Sequence, residues 1–521
     1  MLTIQEASKF ASEYTGRDIS ESNISYLIQY GRIDKFVENN TVLISKEQIR
    51  EYYSSYQGKR EIDWKDKLGD DLNWKLSFDT YKESETTKHV HRLHPYKGKF
   101  IPQLVEYFLD DKTDDFKKQV YFKRGDIVLD PFCGSGTTLV QANELGMHAV
   151  GVDVSEFNTL ISNCKIKEYD IDLLKKAVNN ITIKLEEFDE SISAIRLEDE
   201  LLDALYIFNS KYFPSPEYRK RVYRKEINEN EYGKQKEEEF LPIFYSIVEK
   251  YDIKKPENPE TFLDKWYFGT ARKEIDFVKD LIDQVEDENT KNILKVILSR
   301  TIRSCRATTH SDLATLIEPV YRTYYCKKHK KICKPLFTIS KWWKKYSRDT
   351  VKRLNEFKQH RTDTVQVCFN GDSTTIDLEK EIENFGGELA EGYGKNKIKG
   401  IFSSPPYVGL IDYHEQHAYA YELFGFTRKD DKEIGAMFLG SSKEAQKKYV
   451  DGIASVLINS KKYLADDYEV FLVANDKFNI YPQIAELAGM KIVEEFKRPV
   501  LNRTEKDKRA YSEIIFRMKE K

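Results

Sequence analysis

Apolar positions recur with two periods along this chain, and the alternation between them outlines its elements. Near the N-terminus, Ile4, Ala7, Phe10 and Ala11 fall at helical spacing. A second helix runs through Ile24, Tyr26, Leu27 and Ile28, with Ser20 or Ser22 as its cap and Gly31 as its end. Residues 36–44 read as two short strands about the polar turn Asn39-Asn40, and a last helix starts at Ser45. Further on, seven short apolar runs read as strands: 127–129, 149–152, 365–369, 398–402, 469–473, 491–494 and 511–516. The last two are close enough in sequence to pair as a hairpin. The chain is therefore expected to be α/β, with a seven-stranded Rossmann-like sheet whose ligands gather at the carboxyl ends of the strands.

About two hundred residues separate the second and third runs, too many for a loop in a compact domain. Helical patterns fill 170–207, 258–286 and 288–306, and the charged stretch 218–239 reads as an exposed helix or a mobile loop. Four parts follow: a small module over 1–57, the first part of the sheet domain over 58–165, a mostly helical insertion over 166–361, and the second part of the sheet domain over 362–521.

Composition changes this picture in three places. A length of 521 residues with 40% hydrophobic content suits about three domains. The net charge of -3 does not announce a polyanion binder, yet residues 322–361 hold fourteen Lys or Arg against Asp349 and Glu356. That stretch interleaves its charges with Tyr324, Tyr325, Phe337, Trp342, Trp343 and Tyr346, so it suits phosphate contact and base stacking, or the filling of a minor core. Lys341, Lys344, Lys345 and Arg348, with Arg32 and Arg503 elsewhere, are the candidate DNA contacts; Arg498 and Arg509 are further candidates. Six sparse cysteines do not make a secreted disulfide framework, and without a leader or long apolar run the protein is expected in the cytoplasm, away from membranes. Cys326, His329 and Cys333, with Cys305 upstream, offer zinc-type ligands, but the spacing matches no recognised zinc pattern; ordinary thiols and no metal are expected.

The chemistry lies in two motifs. Asp130-Pro131-Phe132-Cys133-Gly134-Ser135-Gly136-Thr137 follows one strand and opens a helix; its glycines let the backbone approach a ligand closely. Asp153 ends the next strand, placed to accept ribose hydroxyls. Loop and acid specify a nucleoside-bearing cofactor, and NAD would suit them equally. Ser404-Pro405-Pro406-Tyr407, at the end of a later strand, decides between the two. Hydride transfer has no use for it. An aromatic amine to be methylated needs acceptors for its N–H bonds, here the Ser404 hydroxyl and Pro405 carbonyl, and a ring such as Tyr407 to lie against.

On these residues the chain resembles the DNA amino-methyltransferases, over roughly 88–165 and 362–520. The match rests on the Phe-x-Gly-x-Gly loop at Phe132 and on Ser-Pro-Pro-Tyr at Ser404. It implies a class I methyltransferase sheet, S-adenosylmethionine as cofactor, and a flipped base in double-stranded DNA as substrate. It also implies that the segment from His94 to Pro102 holds the methionine end of the cofactor, with Tyr96, Lys99 and Phe100, beside Asp130, Phe132, Gly134, Gly136, Thr137, Asp153 and Asp372. The order of motifs places a target-recognition region in the insertion. Serine at the head of the catalytic motif is commoner for cytosine N4, aspartate for adenine N6; N6 methylation and a non-catalytic DNA-binding regulator stay open as alternatives. A cognate restriction endonuclease is the implied partner. The N-terminal module resembles the winged helix-turn-helix of excisionase and MerR-like proteins, including the step from Tyr30 to Ile33, a geometry that reads a DNA groove.

Overall fold

The computed structural model describes residues 1–29, 32–38, 41–191, 194–251, 259–310, 312, 316–501 and 509–521. Tyr30, Gly31, the Asn39-Asn40 turn and Arg503 lie outside these residues.

The N-terminal module carries a small sheet, β1 (Leu2–Thr3), β2 (Lys35–Glu38) and β3 (Thr41–Ile44), in the order β1-β3-β2. Thr3 caps the helix Ile4–Thr15 through a reciprocal pair with Glu6. Ser20 Oγ accepts from Asn23 N at 3.3 Å at the start of the helix Glu21–Gln29. The module's core gathers Ala7, Leu27, Ile44 and Tyr53 with Trp64, Leu72 and Trp74, so its apolar side continues through the helix Tyr56–Leu68.

The main sheet begins with β4 (Ile127–Asp130) and β5 (His148–Asp153). The insertion then contributes a hairpin, β6 (Tyr324–Cys326) and β7 (Lys331–Cys333), before the sheet resumes with β8 (Gln366–Asn370), β9 (Ile398–Ser403), β10 (Leu464–Ala474), β11 (Met490–Pro499) and β12 (Ser512–Glu520). The seven main strands lie in the order β11-β12-β10-β9-β4-β5-β8, and β12 alone is antiparallel to its neighbours. Counted within the sheet, this is 3-2-1-4-5-7-6 read from the β8 edge. All seven expected runs are in it, and the last two do pair.

The short apolar runs are explained by cover on both faces, the usual condition of a parallel sheet. Every residue of β4 is buried. Successive side chains enter opposite cores: Val128, Phe402 and Phe471 face the side holding Leu104, Phe108 and Leu139, while Leu129, Ile401 and Leu472 face Tyr449, Ile453 and Ile484. The strand order reverses between β4 and β9, which opens a crevice at their carboxyl ends.

The insertion is helical, with Ile171–Ser191, Ala194–Tyr212, Glu229–Lys250, Gly269–Asp283 and Glu288–Ser304 among its helices. The charged stretch 218–239 is largely helical, and Tyr218 at 1% exposure anchors it in a local core. The basic stretch forms the β6–β7 hairpin and the helix Ser340–Lys358. Three of its aromatics, Tyr324, Phe337 and Trp343, are buried, and Trp343 donates its Nε1–H to Thr182. They fill core rather than offer faces to bases; Trp343 does so because a helix with one apolar side must bury that side. Among the described residues no helix is long and apolar enough to cross a membrane.

Candidate active site

The crevice holds a cavity of about 890 Å³, measured with its opening to solvent. Its walls bring together Tyr96, Lys99, Phe100, Asp130, Phe132, Gly134, Thr137, Asp153, Asp372 and Ser404. The glycine turn is shaped by need: Gly134 and Gly136 have φ of 52° and 73°, a region L side chains rarely enter. A Cβ on Gly134 would stand 3.0 Å from the Tyr96 hydroxyl, and one on Gly136 3.0 Å from Ser162. Gly136 therefore sits behind the cavity wall, packed against the helix Glu156–Ile166.

Two buried carboxylates hold the turn. Asp153 accepts from Gly134 N at 2.7 Å through Oδ2 and from Ser155 N at 2.9 Å and Asn158 Nδ2 at 3.1 Å through Oδ1. Asp130 accepts from Ser403 Oγ at 2.6 Å and from Phe132 N at 3.2 Å. Burial pushes each carboxyl up to about 6, and these hydrogen bonds work against the rise. Asp153 thus has chain partners for both oxygens, whereas its expected work was on ribose hydroxyls. Asp372, half-buried, accepts from Thr374 N and Oγ1 and faces Lys432 at 3.6 Å.

Lys99 donates to the His91 carbonyl at 2.6 Å, and burial, followed by the charges of Arg92 and Arg353, brings it down to about 8. Tyr96 lies parallel to Tyr413 with ring centres 5.6 Å apart and meets Asn158 Nδ2 at 3.2 Å. Two buried polar atoms of this wall, Ser135 Oγ and Asn158 Oδ1, have no hydrogen-bond partner among the described residues. Such groups are normally satisfied, so these are open positions for a ligand's polar atoms. A cation for a carboxylate, acids for hydroxyl or amine groups and the apolar side chains of Phe132, Ile434 and Val456 match the chemistry of S-adenosylmethionine.

Ser404 begins the turn after β9 and is half-buried beside this cavity. Its Oγ donates to the Val473 carbonyl at 3.1 Å, which occupies its one proton and leaves its lone pairs as acceptors. Pro406 lines the cavity; Pro405 and Tyr407 stand outside its lining. The Tyr407 hydroxyl donates to Glu513 at 2.7 Å, and Glu513 pairs with Arg498 at 3.3 Å. Past the turn, Leu410, Met437, Phe438 and Leu439 are exposed apolar side chains, with Phe438 N tied to Asp412.

Several sequence expectations are corrected here. Arg32, expected to contact DNA, is engaged within the chain: it pairs at 2.6 Å with Asp79 and also bonds Gln57. Arg498 is buried in its pair with Glu513. His94, His414 and His417 are buried; His94 meets the Tyr419 hydroxyl at 3.2 Å, and His414 pairs with Glu433. Lys344 is drawn to Glu186, while Lys341, Lys345 and Arg348 stay exposed on the helix Ser340–Lys358, Lys345 over the Trp342 ring at 4.5 Å. Asn158, Ser155 and Lys165, which donates to the Ser135 carbonyl, were missed. Their position just after Asp153 was the available signal. Tyr413 also lines the cavity, and Lys432 and Glu433 reach it from a loop that carries no sequence signal.

Comparison with known proteins bears on this site. The profile of a family described as DNA methylase matches residues 11–163. The type II methyltransferase M.MjaII of Methanocaldococcus jannaschii is 46% identical over 524 residues, covering 100% of this chain and 97% of its own. M.MvaI of Kocuria varians, also a type II methyltransferase, is 28% identical over 122 residues, 23% of this chain and 26% of its own. M.BsoBI of Geobacillus stearothermophilus, another, is 21% identical over 70% of this chain and 58% of its own. No solved structure matches the chain.

Proposed function

The chain belongs to the type II DNA methyltransferases, which take their methyl group from S-adenosylmethionine, and on that premise we propose that it methylates the exocyclic N4 amine of cytosine in double-stranded DNA. The observation that carries this reading is the Ser404 hydroxyl, its proton committed to Val473 and its lone pairs left beside the cavity of the glycine turn. The bound cofactor supplies an electrophilic methyl group. The amine is a poor nucleophile because its lone pair is delocalised into the ring. Accepting its two N–H bonds at the Ser404 oxygen and the Pro405 carbonyl favours the pyramidal form, in which the pair can attack. Neither proline has an N–H to compete. Serine is no strong base, so the proton leaves after transfer, when the nitrogen is cationic.

The amine is reached only if the base leaves the duplex. Tyr407, fixed through Glu513, gives the flipped base a ring to lie against. Lys341, Lys345 and Arg348 are proposed to contact phosphates, and the N-terminal module to bind the groove beyond. A restriction endonuclease is the proposed partner. The alternative, adenine N6, uses the same two acceptors; serine at 404 favours cytosine, following the tendency of the enzymes this chain resembles.

Incubation with S-adenosylmethionine and unmethylated genomic DNA, then digestion and mass spectrometry of nucleosides, separates these readings. N4-methylcytosine is expected. N6-methyladenine would transfer the same chemistry to the other base, and the absence of both products from cofactor-competent protein would overturn the proposal.

A further inference from the structure

The β6–β7 hairpin is too small to hold itself. Each strand has three residues, and an isolated two-stranded ribbon is marginal in water. Its own core contains three buried residues, Tyr324, Cys326 and Cys333, so two of the three are thiols. Tyr324 pairs with Cys333 and Cys326 with Lys331, which puts both thiols on one face of the ribbon. His329 lies in the turn between them, its Nδ1 3.5 Å from Cys333 Sγ. The fourth group comes from outside the hairpin: His310 Nδ1 is 3.9 Å from Cys326 Sγ, and the two imidazoles are 4.3 Å apart. One ligand atom from each of the four residues lies within 4.8 Å of the others. Cys305, the upstream thiol suggested by sequence, is instead buried in the main core.

We propose that His310, Cys326, His329 and Cys333 bind a structural zinc ion. Two thiolates and two imidazoles make a closed tetrahedral set, with bonds of about 2.3 Å to sulfur and about 2.0 Å to nitrogen, so adjacent ligands need only draw in slightly. The Tyr324 hydroxyl, 2.7 Å from His310 Nδ1, gives up that nitrogen to the metal and keeps its bond from His310 N. The ion replaces the missing apolar core and ties residue 310 to the hairpin. The hairpin is in turn seated on the helical insertion, where Asn209 bonds both the N–H and the carbonyl of Ile332. The exposed Lys327 and Lys328 of its turn are thereby held in a fixed position.

The test is elemental analysis of the full-length protein purified without chelator, followed by cobalt substitution. Close to one zinc per chain is expected, and the cobalt form should show the thiolate charge-transfer and tetrahedral d–d bands of a two-sulfur site. The double variant Cys326→Ser, Cys333→Ser should lose the ion, while Cys305→Ala should keep it. Metal below about one tenth per chain together with no cobalt spectrum in the reduced protein would overturn the proposal. So would a Cys326–Cys333 disulfide in protein alkylated at lysis, or undiminished zinc in the folded double variant. The wild-type measurements decide the matter even if a variant fails to fold.

Discussion

Protonation of Asp130 and Asp153 sets an acid limit on the cavity. Each is held up to about 6 by burial, and Asp153 loses an acceptor for the Gly134 N–H when it takes a proton. Affinity for S-adenosylmethionine should therefore be level above pH 6 and fall below it, by about tenfold per pH unit for each carboxylate the complex needs ionised. The sign for folding is opposite. A carboxyl with a raised folded value holds its extra proton between 3.8 and about 6, so acid relieves the burial cost of these two groups. Calorimetric titration of the cofactor from pH 5 to 8 checks this, and an affinity flat to pH 5 contradicts it. At Arg32 the consequence is structural: Arg32→Ala leaves Asp79, whose side chain is 2% exposed, without its closest cation. Because Arg60 stays 3.9 Å from the same carboxylate, a loss of about 1.5–3 kcal/mol in chemical unfolding is expected, with the salt slope of DNA binding unchanged.

Among the elements, the glycine turn and the basic helix carry the plainest tests. Gly134→Ala places a Cβ at φ 52° and 3.0 Å from the Tyr96 hydroxyl, so cofactor binding should weaken sharply while the sheet persists. Isothermal titration beside circular dichroism separates the two effects. Replacing Lys341, Lys345 and Arg348 by Ala should weaken DNA binding for all sequences and lower the slope of log K against log salt by about 3 units. An unchanged slope removes that helix from the interface. The strands were legible because each is a short apolar run that must be covered on both faces, as in β4. The burial of His94, His414 and His417 was not, since their partners Tyr419 and Glu433 are set by packing between distant segments. His310 was invisible for the same reason: it joins Cys326, His329 and Cys333 across a loop, not within a motif.

At the scale of the whole molecule, the parts interlock. A cut after residue 57 would pass through the helix Tyr56–Leu68 and expose Trp64, Leu72 and Trp74, which share the core of the N-terminal module. Asn73 N donates to the Lys497 carbonyl at 2.7 Å, so the same segment covers part of edge strand β11. The proposed contribution of the module to DNA binding is thus better probed by surface substitutions than by truncation. Every part converges on one claim, that the Ser404 turn presents an exocyclic amine to the methyl donor. Its most direct test is single-turnover methylation by Ser404→Ala, with cofactor affinity measured on the same preparation. The rate should fall by about 10²–10³ at unchanged affinity, the usual effect of removing one transition-state partner. A variant that methylates at the wild-type rate would contradict it.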